Sequence, residues 1–143
     1  MRRRADRLPH ASGGATAVEF ALVAPMFFML VFGTIEFGRL LWTQEALQET
    51  AIAGARCVAI AQGTTQDSPC ASGGTTSYVQ NVAKGWGLSL ASITPNTTAT
   101  CGGWSGFSEM TLTSSFKSVV PELIRLSTSG ITLTASACYP NGS

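Results

Sequence analysis

Hydrophobic and polar positions change their spacing twice along the chain. From Ala17 to Ile35 nearly every position is apolar, and Glu19 is the only ionisable side chain. At about 1.5 Å of rise per residue this run covers most of a roughly 30 Å hydrocarbon core, so residues 15–35 predict one membrane-spanning helix. A second pattern starts at Glu36. Phe37, Leu40, Leu41, Leu47, Ala51 and Val58 recur at three- and four-residue steps or their sums, the stripe of an amphipathic helix over residues 36–62. Glu45, Glu49 and Arg56 fall within about 40° of one another on a different face. No proline interrupts Glu36 to Ala61, and Gly63 with the polar segment Thr64–Pro69 supplies a stop. The two patterns join into one helix from Ala15 to Ala61, roughly 70 Å long, with Pro25 as its kink site because proline cannot donate to the carbonyl of Ala21. Glu36 and Arg39 have the spacing of an i,i+3 ion pair.

Residues 63–143 read as an α+β domain. Ser77 is placed to cap a short helix through Lys84, with Tyr78, Val79, Val82 and Ala83 on its apolar side and Gly85-Trp86-Gly87 at its end. Beyond it the period becomes two. Ile93–Cys101 is a strand candidate weakened by Pro95, and Gly102–Gly106 reads as a loop. Met110, Leu112, Ser114 and Phe116 alternate with Thr111, Thr113 and Ser115 as a half-buried strand. Pro121–Leu126 reads as a helical turn, and Ile131, Leu133, Ala135 and Ala137 as a last strand. The expected architecture is a small antiparallel sheet packed on the outer half of the long helix. Its expected core is Phe37, Leu40, Leu47, Ala51, Val58, Val79, Val82, Leu112, Phe116, Ile131 and Leu133. Small residues along the helix (Ala46, Thr50 and Gly54, with Ala51, Ala55 and Ala59 beside them) allow close approach either of the chain's own sheet or of a neighbouring helix.

Charge and cysteine content add a compartment. The formal net charge is +1, but residues 1–14 hold Arg2, Arg3, Arg4 and Arg7 against Asp6, so the rest of the chain is net acidic. Such a basic leader ahead of an apolar helix predicts a cytoplasmic N-terminus and an extracytoplasmic C-terminal domain, and the balance is not that of a nucleic-acid binder. All four cysteines lie beyond the membrane run, and none forms a Cys-x-x-Cys motif. Two structural disulfides in an oxidising compartment follow, with three pairings open. The first choice is Cys57–Cys70, which closes the loop after the helix, and Cys101–Cys138, which joins two strand ends. The only histidine is His10, in the leader. A domain without histidine has no Ser-His-Asp or Cys-His arrangement and no imidazole ligand, so neither an enzyme nor a metal or cofactor site is expected. Glu45 and Glu49 read as a solvated face. Trp86 and Trp104, each near glycine, read as core fillers or interface residues, and Arg39 and Trp42 as interfacial anchors.

The segment Gly14-x4-Glu19-Phe20, behind a basic leader and ahead of an apolar helix, resembles a prepilin processing site. The resemblance implies cleavage by a prepilin peptidase after Gly14, Ala15 as the new N-terminus, and a Glu19 that meets the free amine of a neighbouring subunit during assembly. With Ala21-Leu22-Val23-Ala24-Pro25, Ile35-Glu36-Phe37-Gly38-Arg39, Ala46-Leu47-Gln48 and Gly54-Ala55-Arg56, the stretch over roughly residues 13–60 resembles the TadE-like pseudopilins, minor pilins of the tight-adherence (Flp) type IV pilus system. Phe20 stands where the Flp motif often has tyrosine, and the long C-terminal part departs from the major Flp pilin. The resemblance implies a bacterial inner-membrane protein with a periplasmic domain. Its implied partners are the prepilin peptidase, other pilin or pseudopilin subunits and the pilus assembly machinery. The competing expectation is a single-pass periplasmic binding or scaffold module that keeps its leader. An anchored hydrolase is disfavoured by the missing histidine.

Overall fold

The computed structural model describes residues 13–63, 70, 74–118 and 130–141. They form α1 (Gly13–Gly63), α2 (Gly74–Gly85), β1 (Leu90–Cys101), β2 (Trp104–Phe116) and β3 (Ile131–Pro140). The architecture is α+β, with a three-stranded antiparallel sheet in the order β1-β2-β3. The leader before Gly13 and the expected turn Pro121–Leu126 lie outside the described residues, as does most of the loop around Cys70. Two compact units divide the chain, Met1–Phe37 and Gly38–Ser143.

In the first unit the described residues are helical throughout, and the helix continues through Pro25. In the second unit the central strand β2 sets the core. Ser108, Met110, Leu112, Ser114 and Phe116 are buried in strict alternation, while the intervening residues keep partial exposure. Antiparallel register aligns Ile93, Leu112 and Ala135 across the sheet, and places Phe116 against Ile131. The inward face packs on Leu47, Ala51, Ala55 and Val58 of α1 and on Val79 of α2.

Several boundaries differ from expectation. Helix α2 begins at Gly74, three residues before Ser77, so Ser77 is an exposed residue within the helix and not its cap. The hydroxyl of Thr75 donates to the carbonyl of Cys70 (3.3 Å) and ties this first turn back to the disulfide. The expected loop Gly102–Gly106 contracts to a two-residue turn. Gly102 and Gly103 adopt φ of 60° and 87°, the left-handed conformations that type I′ hairpins require. Trp104, Ser105 and Gly106 instead belong to β2. Gly106 (φ 90°) falls where β2 inserts an extra residue between its pairings with Ala99 and Cys101. Pro95 is accommodated because β1 is an edge strand.

The expected core also needs revision. Phe37 is 62% exposed and Leu41 48% exposed, and Val82 is only half-buried. Phe37 falls in the apolar unit, whose large side chains are turned outward. Leu41 lies about 80–120° around the helix from Leu40, Leu47, Ala51 and Val58. Val79 and Ala83 define the buried line of α2, with Val82 to one side.

Candidate assembly surface

The N-terminal half of α1 has no core to pack on. From Val18 to Ile35 its large side chains other than Val31 are exposed, with Met26 at 78% and Leu22 at 73%. Phe28 and Phe32, one turn apart, stack at 6.1 Å, and Phe27 meets Phe28 edge-on at 5.7 Å. Surface of this kind is costly in water and at home in hydrocarbon. This is the one described segment long and apolar enough to cross a membrane. Gly14 sits in the first turn of the helix, and a Cβ added there meets nothing within 4 Å. Among the described residues, packing therefore places no demand for glycine at this position. Ala15 follows it in the same turn. Glu19 lies one helical turn beyond Ala15, exposed, beside an exposed Phe20.

The second half of α1 is organised by the opposite rule. Ala46, Thr50, Gly54, Ala51, Ala55 and Ala59 are all buried. A Cβ on Gly54 would stand 2.9 Å from both Met110 Cγ and Val79 Cγ2. The small residues thus let the chain's own sheet and α2 approach, which decides between the two uses open to them. The Thr50 hydroxyl is satisfied by the carbonyl of Ala46 at 2.7 Å.

Glutamines on α1 do work that no motif announces. Gln44 and Gln48 donate their side-chain amides to the carbonyls of Thr134 (3.3 Å) and Ser136 (3.1 Å) on β3. Four helical residues advance about 6 Å and two strand residues about 6.6 Å, so the spacings match and the helix tracks the outer edge of β3. Near the end of α1, Gln62 donates to Ser108 Oγ (2.7 Å), and Ser108 donates to Asn141 Oδ1 (2.5 Å). The Asn141 amide donates to the carbonyl of Thr97 (3.1 Å), and its backbone N–H to that of Gly106 (2.9 Å). This network links α1, β1, β2 and the residue that follows β3.

Both disulfides form in the expected pairing. Cys57–Cys70 has Cα atoms 5.2 Å apart and Cys101–Cys138 6.5 Å. The first borders a groove of about 460 Å³ lined by Glu49, Ile52, Arg56, Ile60 and Tyr78. At the other end of the domain, the Arg39 guanidinium lies 5.5 Å from the centre of the Phe116 ring. Trp42 meets Trp86 edge-on at 5.9 Å. Among the described residues no three His, Cys, Asp or Glu side chains come together as a metal site would require.

One apolar helix followed by a disulfide-braced helix-on-sheet domain defines a protein with a membrane helix and an α+β domain. Residues 14–56 match the family model described as TadE-like protein. Over that stretch the chain is similar to TadE-like proteins. The match starts at Gly14 and ends one residue before Cys57, so the loop, α2 and the sheet lie beyond it. No curated protein and no solved structure matches the chain significantly.

Proposed function

We propose that this protein is a minor pilin, or pseudopilin, of a tight-adherence type IV pilus, matured by a prepilin peptidase that cuts after Gly14. The observation that carries the reading is the coincidence of two features at one end of α1. The TadE-like match opens on Gly14, and the apolar run Ala17–Ile35 of α1 carries its only acid, Glu19, one turn beyond the proposed new amine of Ala15. Because nothing among the described residues presses on Gly14, a requirement for glycine there would suit an external partner such as a peptidase subsite. Once the leader is gone, Glu19 is an anionic group at the membrane edge, and an ammonium group is its most favourable partner. The Ala15 amine of an axially shifted neighbour supplies that partner and rewards correct register. The role is assembly rather than catalysis. In this reading the basic leader is cytoplasmic, the helix spans the inner membrane and the disulfide-braced domain is periplasmic, where it meets other subunits and the assembly machinery.

The test is expression of Gly14→Asp and Glu19→Ala separately, following processing, membrane level and piliation. N-terminal sequencing of the unaltered protein should begin at Ala15. Gly14→Asp should leave an uncleaved precursor in the membrane, and Glu19→Ala should be processed but defective in assembly. Normal piliation by Glu19→Ala would remove the register role, and an intact leader on the mature protein would remove the pilin reading.

A further inference from the structure

We propose that Trp42 and Trp86 together form a lipid-contact site that seats the α+β domain on the headgroup region of the bilayer. The two residues come from separate elements and meet with ring centroids 5.9 Å apart. Both nevertheless stay open, Trp42 at 63% and Trp86 at 44% exposure. An aromatic pair that is built by tertiary structure and then left uncovered is unusual for a water-facing surface. It is the ordinary arrangement where one side of a ring meets acyl chains and its N–H meets headgroups.

Position along α1 selects lipid as the occupant. Trp42 follows Ile35, the end of the apolar run, by seven residues, or about 10 Å of helix. Side chains on a helix lean toward its N-terminus, so the Trp42 ring reaches back over the preceding turn. Headgroups add about 5–8 Å to each side of the hydrocarbon core, so the ring falls at their depth. Exposed Leu41 continues the apolar surface up to Trp42. The exposed face then turns acidic at Glu45 and Glu49, which marks the upper limit of the contact.

Trp86 is presented there by a fixed device. Gly87 (φ 71°) donates to the carbonyl of Lys84 (3.0 Å), and Leu88 to that of Ala83 (2.9 Å). This hydrogen-bond pair is a Schellman motif that ends α2 and holds Trp86 as the capping residue just past Gly85. Leu88 packs toward the core, and Trp86 is left outside it. Exposed Lys84, in the last turn of α2, supplies a cation able to extend to lipid phosphate.

Trp104 is the internal control. It is 76% exposed and lies at the opposite end of β2 from Phe116, the residue that meets Arg39. The experiment places full-length single-tryptophan proteins (Trp→Phe at the other two positions) in phosphatidylcholine nanodiscs with brominated acyl chains. Emission should be lost from Trp86 to an extent matching Trp42, and retained from Trp104. Trp42 alone tests only its position on the helix, so the Trp86 protein carries the decision. Quenching of Trp86 no greater than that of Trp104 would overturn the proposal. Emission from Trp86 that ignores bromine but changes with the number of proteins per disc would overturn it in favour of a second copy as the occupant. If a double substitution fails to fold, W104F alone retains the pair. Its emission should then fall on bromination by more than the Trp42-only protein accounts for, and equality with that protein would count against the site.

Discussion

Gly54 offers the sharpest test of how α1 packs on the sheet. Replacing it with alanine has two opposing effects. In a helix interior the exchange relieves the conformational freedom of glycine and favours folding by up to about 1 kcal/mol. The new Cβ, however, would stand 2.9 Å from Met110 Cγ and Val79 Cγ2, and 3.2 Å from Met110 Cε. Met110 and Val79 are both fully buried, so neither can swing away into solvent. Forcing a methyl group into such a site typically costs about 1–3 kcal/mol. The net effect on its own therefore lies between neutrality and about 2 kcal/mol of destabilisation. A companion variant removes that ambiguity. Gly38→Ala lies on the same helix where an added Cβ meets nothing within 4 Å, so it carries the propensity gain without the clash. Gly54→Ala should thus be less stable than Gly38→Ala by about 1–3 kcal/mol. At about 4–8 °C per kcal/mol for a domain of this size, the melting temperatures should differ by at least several degrees. Thermal unfolding of the full chain in detergent, followed by far-UV circular dichroism, measures the gap. Equal melting temperatures would refute the close approach of α1 to β2 and α2.

Serine at both cysteines of either bridge should destabilise the domain under oxidising conditions, by about 3 kcal/mol for Cys57–Cys70 and about 4 kcal/mol for Cys101–Cys138. The order follows from their sequence separations of 13 and 37; denaturant unfolding with and without reductant checks both, and the reverse order would contradict the chain-entropy argument. Asn141→Ala leaves Ser108, which is fully buried, and Gln62 without their shared acceptor, and should cost about 1–3 kcal/mol in the same assay. No loss of stability would show that water replaces Asn141 without penalty.

The parts of the fold legible in the sequence were those governed by local chemistry. The strand Met110–Phe116 was readable because its apolar residues alternate without interruption. The disulfide pairing was a first choice among three, preferred because Cys57 and Cys70 flank one loop and Cys101 and Cys138 stand at strand ends, and the structure shows it. The apolar run ahead of Glu36 needed only its composition. The first turn of α2 was not readable, because Gly74-Thr75-Thr76 has loop composition and its helicity is supported by a bond back to Cys70. Trp104–Gly106 looked like a loop for the same compositional reason, whereas strand pairing and the Gly102-Gly103 turn carry the ladder through it. Helical periodicity located a stripe on α1 but blurred its edges, admitting Phe37 and Leu41. Contacts such as Gln44 to Thr134, 90 residues apart, leave no periodic trace at all. Two glutamines one turn apart facing a Ser/Thr-rich sheet were the only hint. At the candidate site, Gly14, Ala15, Glu19 and Phe20 were visible as a motif, while the meeting of Trp42 with Trp86 required the tertiary structure.

The two glutamines bear on how crowded copies of this chain avoid one another. Proteins confined to a bilayer meet at far higher local concentration than in free solution, and an open sheet margin is the commonest place for unwanted strand-to-strand fusion. On β3 that margin is occupied where Gln44 and Gln48 cap Thr134 and Ser136. On β1 it is interrupted by Pro95, which has no N–H to offer, and by three breaks in register. One border is therefore sealed by a helix of the same molecule and the other is roughened by its own backbone. If copies assemble as proposed, the surface left to them is that of helices, which can slide and be corrected, rather than a growing sheet, which cannot.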